Sequence, residues 1–156
     1  MTPELVLESS GPEDTRSFGE ALGRAAEAGD VVLLSGELGA GKTVFVQGVA
    51  RGLGFDGQVS SKSFVLLGEY PARLTLYHAD LYRLESPEQV EELALDEISD
   101  EGMLIVEWPE RGDYVLPEER LLLSFEVTSE DTRRISVDAQ GERARVLGSA
   151  LAQVAG

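Results

Sequence analysis

The most specific chemistry in the sequence lies in eight residues, Gly36-Glu37-Leu38-Gly39-Ala40-Gly41-Lys42-Thr43, spaced as G-x-x-x-x-G-K-[ST]. In that spacing glycine lets a loop turn tightly and aim its backbone N–H groups inward, because a Cβ would block both the φ values and the close approach of an anion. Glu37, Leu38 and Ala40 supply the backbone between the fixed positions. A helix starting near Lys42 adds its positive end to the same site. Lys42 can then bridge the β and γ phosphates of a nucleotide, and the Thr43 hydroxyl can ligate Mg²⁺.

Such a loop needs an acid to complete the Mg²⁺ shell or to orient water, placed at the end of a buried strand. Glu107, after the apolar run Met103-Leu104-Ile105-Val106, has that position, and Asp80 is its rival at the end of an earlier strand. Either carboxylate can position a water or accept its proton. His78 is the only histidine and reads as a hydrogen-bonded structural group rather than a base. Trp108, the only tryptophan, follows Glu107 at a strand-to-loop corner. It reads as core, with a sensor or partner contact as its other role. Ser60-Ser61-Lys62-Ser63-Phe64 is either a switch-like loop, with Ser61 and Ser63 offering hydroxyls near the γ-phosphate, or a polar turn.

These residues need a scaffold. Gly11-Pro12 opens a helix with Phe18, Ala21, Leu22, Ala25 and Ala26 on one face, stopping at Gly29. Val31–Leu34 is a continuous apolar run, which suits a parallel strand covered on both faces by helices. A second helix carries Phe45, Val46, Val49, Ala50 and Leu53 and stops at Gly54. Strands are expected at Phe64–Tyr70 and Arg73–Ala79, joined at Tyr70-Pro71-Ala72, and alternation puts His78 and Asp80 on one face. Ser86-Pro87-Glu88-Gln89 is a capping-box start for an acidic helix. Further strands are expected at Met103–Val106, Leu121–Val127 and Arg134–Val137, then a closing helix with Leu147, Ala150, Leu151 and Val154 on its apolar stripe. Together these predict an α/β P-loop NTPase fold, a mainly parallel sheet flanked by helices, as a single domain over 1–156.

Composition narrows the function. Thirteen basic against 29 acidic residues leave a formal charge of -16, so most of the surface repels nucleic acid. Between Arg83 and Arg111 there is no basic residue while ten acids accumulate, from Glu85 to Glu110. That stretch is either a solvated helix face or a docking surface for a basic partner. There is no cysteine, no run of the roughly 18 apolar residues that a membrane span needs, and no signal-like start, which together favour the cytoplasm.

With these segments in hand, the chain resembles the bacterial tRNA threonylcarbamoyladenosine biosynthesis ATPases of the TsaE (YjeE) family. The resemblance rests on G-E-L-G-A-G-K-T at 36–43, on His78-Ala79-Asp80-Leu81-Tyr82-Arg83-Leu84, on Glu91-Glu92-Leu93-Ala94-Leu95-Asp96-Glu97 and on Ile105-Val106-Glu107-Trp108-Pro109-Glu110-Arg111. It implies a P-loop ATPase that supports threonylcarbamoylation of adenosine 37 in tRNA by binding and cycling a TsaD–TsaB complex, with tRNA met only through that complex. It also implies that Lys42 and its loop hold ATP, that Thr43 and Glu107 hold Mg²⁺, and that Asp80 serves hydrolysis. Thr15 and Arg134 would flank the adenine, with Arg133 equally able to take the role of Arg134. ATP would order the Ser60–Phe64 loop and the Trp108 corner into a partner-binding surface. Two departures from the family pattern are Ser61-Lys62-Ser63 in place of Ser-Pro-Thr, and Val44 in place of a second threonine. The second predicts weaker ATP binding, which Val44→Thr would strengthen. The other classes weighed are a small-molecule P-loop kinase, a regulatory GTPase, for which a base-reading Asn/Thr-Lys-x-Asp segment is missing, and a nucleotide-dependent scaffold without turnover.

Overall fold

Val31–Gly36 (β2) becomes the middle strand of a seven-stranded sheet, with its first four residues buried, as a continuous apolar run requires. The computed structural model describes residues 5–37, 39–57, 59, 67–81, 88, 91, 94–111 and 116–155, with 96, 98, 99, 111 and 155 placed by backbone alone. The remaining elements are Leu5–Ser9 (β1), Pro12–Ala25 (α1), Lys42–Gly52 (α2), Leu67–Tyr70 (β3), Leu76–Asp80 (β4), Met103–Glu107 (β5), Arg120–Val127 (β6), Arg133–Gln140 (β7) and Glu142–Ala155 (α3). A single helical turn, Leu95–Ile98, precedes β5. No described helix is long and apolar enough to cross a membrane.

The strand order is β1-β7-β6-β2-β5-β4-β3. Strands β6, β2, β5 and β4 run parallel, whereas β7 and β3 run opposite to them at the two sides and β1 pairs antiparallel with β7. Parallel strands end together, so the C-terminal ends of β2, β5 and β4 meet on one edge, where ligands bind in open α/β sheets. The register makes this concrete: Leu34 is level with Glu107, and Glu107 is level with Asp80.

α1, α2 and α3 cover one face. Phe18, Leu22 and Ala26 from the α1 segment, Phe45, Val46, Val49 and Ala50 of α2, and Ala144, Leu147 and Leu151 of α3 share a core with Val32, Leu34, Met103 and Ile105. The alternate residues Val31, Leu33, Leu104 and Val106 face the other way, against Leu95 and Leu116. β2 is thus buried on both faces, as its all-apolar run predicts. Among the described residues, the helical turn at Leu95 and the segment at Leu116 cover the second face.

Between α1 and α2 there is almost no side chain. A Cβ on Gly19 would lie 2.2 Å from the Phe45 carbonyl oxygen, and one on Gly23 2.3 Å from that of Val49. A Cβ on Gly48 would lie 2.2 Å from the Arg16 oxygen, and one on Gly52 2.3 Å from that of Glu20. Two glycines four apart on each helix thus bring backbone onto backbone, with Cα–H groups against carbonyls. At the far end of α1, Arg73 Nη2 donates to the Gly23 and Ala26 carbonyls (2.8 and 3.1 Å) and Arg143 Nη2 donates to Ala25 (3.1 Å), which satisfies carbonyls that the helix leaves open. Arg143 also grips Asp30, 2% exposed, through both carboxylate oxygens at 2.9 and 2.7 Å.

Several expectations shift. Helix α1 ends at a C-cap on Ala26, buried in the core, ahead of Gly29. Strand β4 starts at Leu76 rather than Arg73, because residues 71–75 form the turn out of β3. Val154 is 44% exposed and leaves the apolar stripe of α3, where Ala144 packs instead. Strand β1 was not anticipated. It is short, and only its pairing with β7 makes it a strand. The capping box at 86–89 and the first half of Phe64–Tyr70 lie outside the described residues, apart from Glu88, which is helical and exposed.

Candidate functional site

The loop from Gly36 to Gly41 leaves the end of β2 and delivers the chain into α2. Gly39 and Gly41 have φ of +82° and +102°, in the left-handed region that side chains disfavour, which is why those positions read as glycine. Ala40 is buried and its N–H donates to Glu37 O (3.1 Å), closing the turn, while the Glu37 side chain is exposed. Leu38 lies outside the described residues. The first turn of α2 leaves N–H groups without partners inside the helix, and their positive end faces the same loop.

Lys42, at the first position of α2, is 4% exposed. Its Nζ donates to Gly36 O at 2.6 Å across the loop and stands 4.1 Å from the centre of the Trp108 ring. Burial pushes the Lys42 ammonium below its ordinary pKa, against the pull of the Glu107, Asp80 and Glu110 carboxylates, which raise it. A buried ammonium needs partners, and here a carbonyl, an aromatic face and nearby carboxylates supply them.

Gly39, Gly41, Lys42, Thr43, Val44, Asp80, Glu107 and Trp108 line one cleft of about 220 Å³. The structure thus brings together the residues that sequence spacing selected separately. Larger clefts exist, among them one of about 610 Å³ beside Arg16 and Arg51, but it holds neither the loop lysine nor the two strand-end acids. Glu107 is 5% exposed and His78 8%. His78 Nε2 lies 2.5 Å from Glu107 Oε2, so the lone histidine is hydrogen-bonded as expected, to the acid at the heart of the site. Trp108 takes φ +59°, and this left-handed corner folds its ring over Lys42. The ring packs partly against the second-face core, so it serves both as core and as cleft wall.

Among the described residues there is no cluster of three or more His, Asp or Glu that would cage a metal. Mg²⁺ does not require one: it takes one or two protein oxygens together with phosphates and water. The Thr43 hydroxyl and the Glu107 carboxylate in one cleft fit that pattern.

The adenine-side expectations come out unevenly. Thr15 is 2% exposed, its methyl group 3.7 Å from where a Cβ on Gly41 would stand, so it does border the loop. Its hydroxyl is paired with Ser9 Oγ at 2.7 Å, and the Ser9 hydroxyl donates to Gly11 O. Arg134 is not brought to the loop. Level with Glu8 and Glu126, it bonds Glu8 at 3.0 Å, and those carboxylates raise its pKa further. Arg133 is the one that reaches the loop, Nη2 to Gly39 O at 3.3 Å, while its Nη1 holds the carbonyls of Ser129, Glu130 and Thr132. The parity of β7 explains the choice. Ile135 and Val137 point into the helix-covered core, so Arg133 shares their face and Arg134 does not. Ser61 and Ser63 lie outside the described residues.

Known proteins match both the sequence and the fold. The family model described as Threonylcarbamoyl adenosine biosynthesis protein TsaE matches residues 9–135. A tRNA threonylcarbamoyladenosine biosynthesis protein TsaE of Treponema pallidum is 42% identical over 130 residues, 83% of this chain and 96% of the relative. One of Bacillus subtilis is 38% identical over 146 residues, 92% of this chain and 91% of the relative. The crystal structure of Bacillus subtilis YdiB superposes with a TM-score of 0.81 at 35% identity, over 98% of this chain and 97% of that one.

Proposed function

This chain belongs to the TsaE family, and from that premise we propose that it is a cytoplasmic, Mg²⁺-dependent ATPase acting in tRNA threonylcarbamoyladenosine biosynthesis. Its partner is a TsaD–TsaB transferase complex, which it binds and cycles, and tRNA meets it only through that complex. The observation that carries the reading is the convergence of Lys42, Thr43, Asp80 and Glu107 on one cleft at the C-terminal edge of the parallel strands.

In this reading the 39–43 backbone and Lys42 hold the triphosphate, with the ammonium moving from Gly36 O to phosphate oxygens of similar reach. Thr43 and Glu107 would hold Mg²⁺, which would supply neutralisation of charge on the phosphate oxygens. Asp80, level with Glu107 on the adjacent strand, orients the attacking water. Arg133, rather than Arg134, stands on the nucleotide side of the loop. A chain of charge -16 is suited to a partner that leaves nucleic acid to others.

The test is Mg²⁺-dependent ATP hydrolysis by the purified chain, alone and with TsaD and TsaB, with Lys42→Ala as the blank. Slow turnover that rises with the partners is expected. Indifference to them, with turnover only on adding small hydroxyl-bearing metabolites, would mean a kinase instead.

A further inference from the structure

The His78–Glu107 contact has no part in the roles assigned so far. It is short, and both residues are more than nine-tenths buried. The sheet builds it deliberately: His78 is level with Ile105, two residues before Glu107 on the neighbouring strand, so both side chains emerge on the helix-covered face with His78 one row below the cleft. Its neighbours in those rows, Leu76, Met103 and Ile105, are apolar and fully buried. A carboxylate in such a place is held by whatever hydrogen bond it makes, because swinging away would leave two buried polar groups unpaired.

The consequence is an asymmetric carboxylate. With Oε2 engaged by His78, Glu107 has Oε1 left for the cleft that it lines with Thr43 and Asp80. That matters for metal choice. Mg²⁺ takes single oxygens in a tight octahedron, whereas Ca²⁺ accepts six to eight oxygens and readily takes a carboxylate by both. We propose that His78 is a positioning residue that restricts Glu107 to one-oxygen ligation and thereby makes the cleft select Mg²⁺ over Ca²⁺. The proposal rests on the reading of Glu107 as a metal ligand given above.

The experiment is calorimetric titration of a non-hydrolysable ATP analogue into the full chain with Mg²⁺, with Ca²⁺ and with neither, for wild type, His78→Ala, His78→Asn and His78→Gln, alongside thermal melts. Loss of a group that orients a ligand typically costs 10- to 100-fold in metal affinity, so His78→Ala should weaken Mg²⁺-supported binding by about that factor. Ca²⁺-supported binding should fall by less than about threefold, because the released carboxylate can then chelate by both oxygens. Binding without metal should not change. His78→Gln, whose Nε2–H can replace the imidazole donor, should restore most of the Mg²⁺ to Ca²⁺ ratio, and the shorter His78→Asn should not. If His78→Ala does not fold, the Gln and Asn variants decide the matter. Variants that melt lower but keep the wild-type ratio would overturn the proposal and leave His78 a structural residue. A wild-type chain whose nucleotide affinity ignores metal would overturn the reading of Glu107 and this inference with it.

Discussion

Helix α2 is built on opposite terms at its start and along its body. Along the body, Gly48 and Gly52 remove side chains altogether so that the backbone lies on that of α1. At the start, Lys42 places a long charged side chain in a nearly dry site among carboxylates, a carbonyl and an indole. The first region is stable because nothing needs desolvating, and it tolerates no added atom. The second is costly to form, and under the proposed function its groups are retained for what they bind. Position and reactivity are thus separated by about two turns of one helix: the seam fixes where the loop stands, and the loop mouth carries the charge.

The largest effect should come from the seam. Gly48→Ala puts a methyl group against the backbone of Arg16, where no rotamer can relieve it, and should cost about 3 kcal/mol or more by urea unfolding. A loss under about 1 kcal/mol would show that the helices do not lie backbone to backbone.

Lys42→Met should behave in the opposite manner. It keeps the volume while removing a buried charge, so stability should hold or rise by up to about 1 kcal/mol. Affinity for ATP should fall about a hundredfold by calorimetry, a loss of about 2.7 kcal/mol. A variant that instead unfolds would make the lysine a structural strut and erase the contrast.

The smallest effect sharpens the comparison at the exposed start of α1. There Asp14 accepts hydrogen bonds from the hydroxyl and N–H of Ser10, at 2.5 and 2.9 Å, and these hold its carboxyl below the ordinary value of 3.8, the hydroxyl contributing most. A depressed carboxylate stabilises the fold above its unfolded value, and the contribution is lost as pH falls through the folded one. Asp14→Asn should therefore cost less than about 1 kcal/mol near neutrality, and the difference from wild type should close on acidification in pH-dependent melts.

How much of this is legible in the sequence depends on how far apart the determinants lie. Gly36–Thr43 declares itself because strand, loop and helix start are contiguous and each residue type has a local reason. Glu107 and Asp80 are visible as strand ends, but that they are level with each other is a property of parallel register between β4 and β5. The His78–Glu107 bond spans 29 residues and follows from the same register. That Arg133 rather than Arg134 reaches the loop was within reach, since Ile135 and Val137 mark the inward parity of β7 and Arg133 shares it. Strand β1 was not, because Leu5–Ser9 is a strand only through a partner more than a hundred residues later. The glycine seam shows as two glycines four apart on each predicted helix, yet only the crossing of α1 over α2 gives that spacing its meaning.

The left-handed corner at Trp108 has a practical consequence. It is the only tryptophan in the chain, and its ring centre stands 4.1 Å from the Lys42 ammonium. Indole emission from this protein therefore originates at a single spot on the rim of the cleft, with no background from elsewhere. Any event that draws Lys42 away from the ring changes the optical surroundings of that one fluorophore, so the nucleotide binding proposed above is expected to be readable by stopped flow on the unlabelled, unmutated chain.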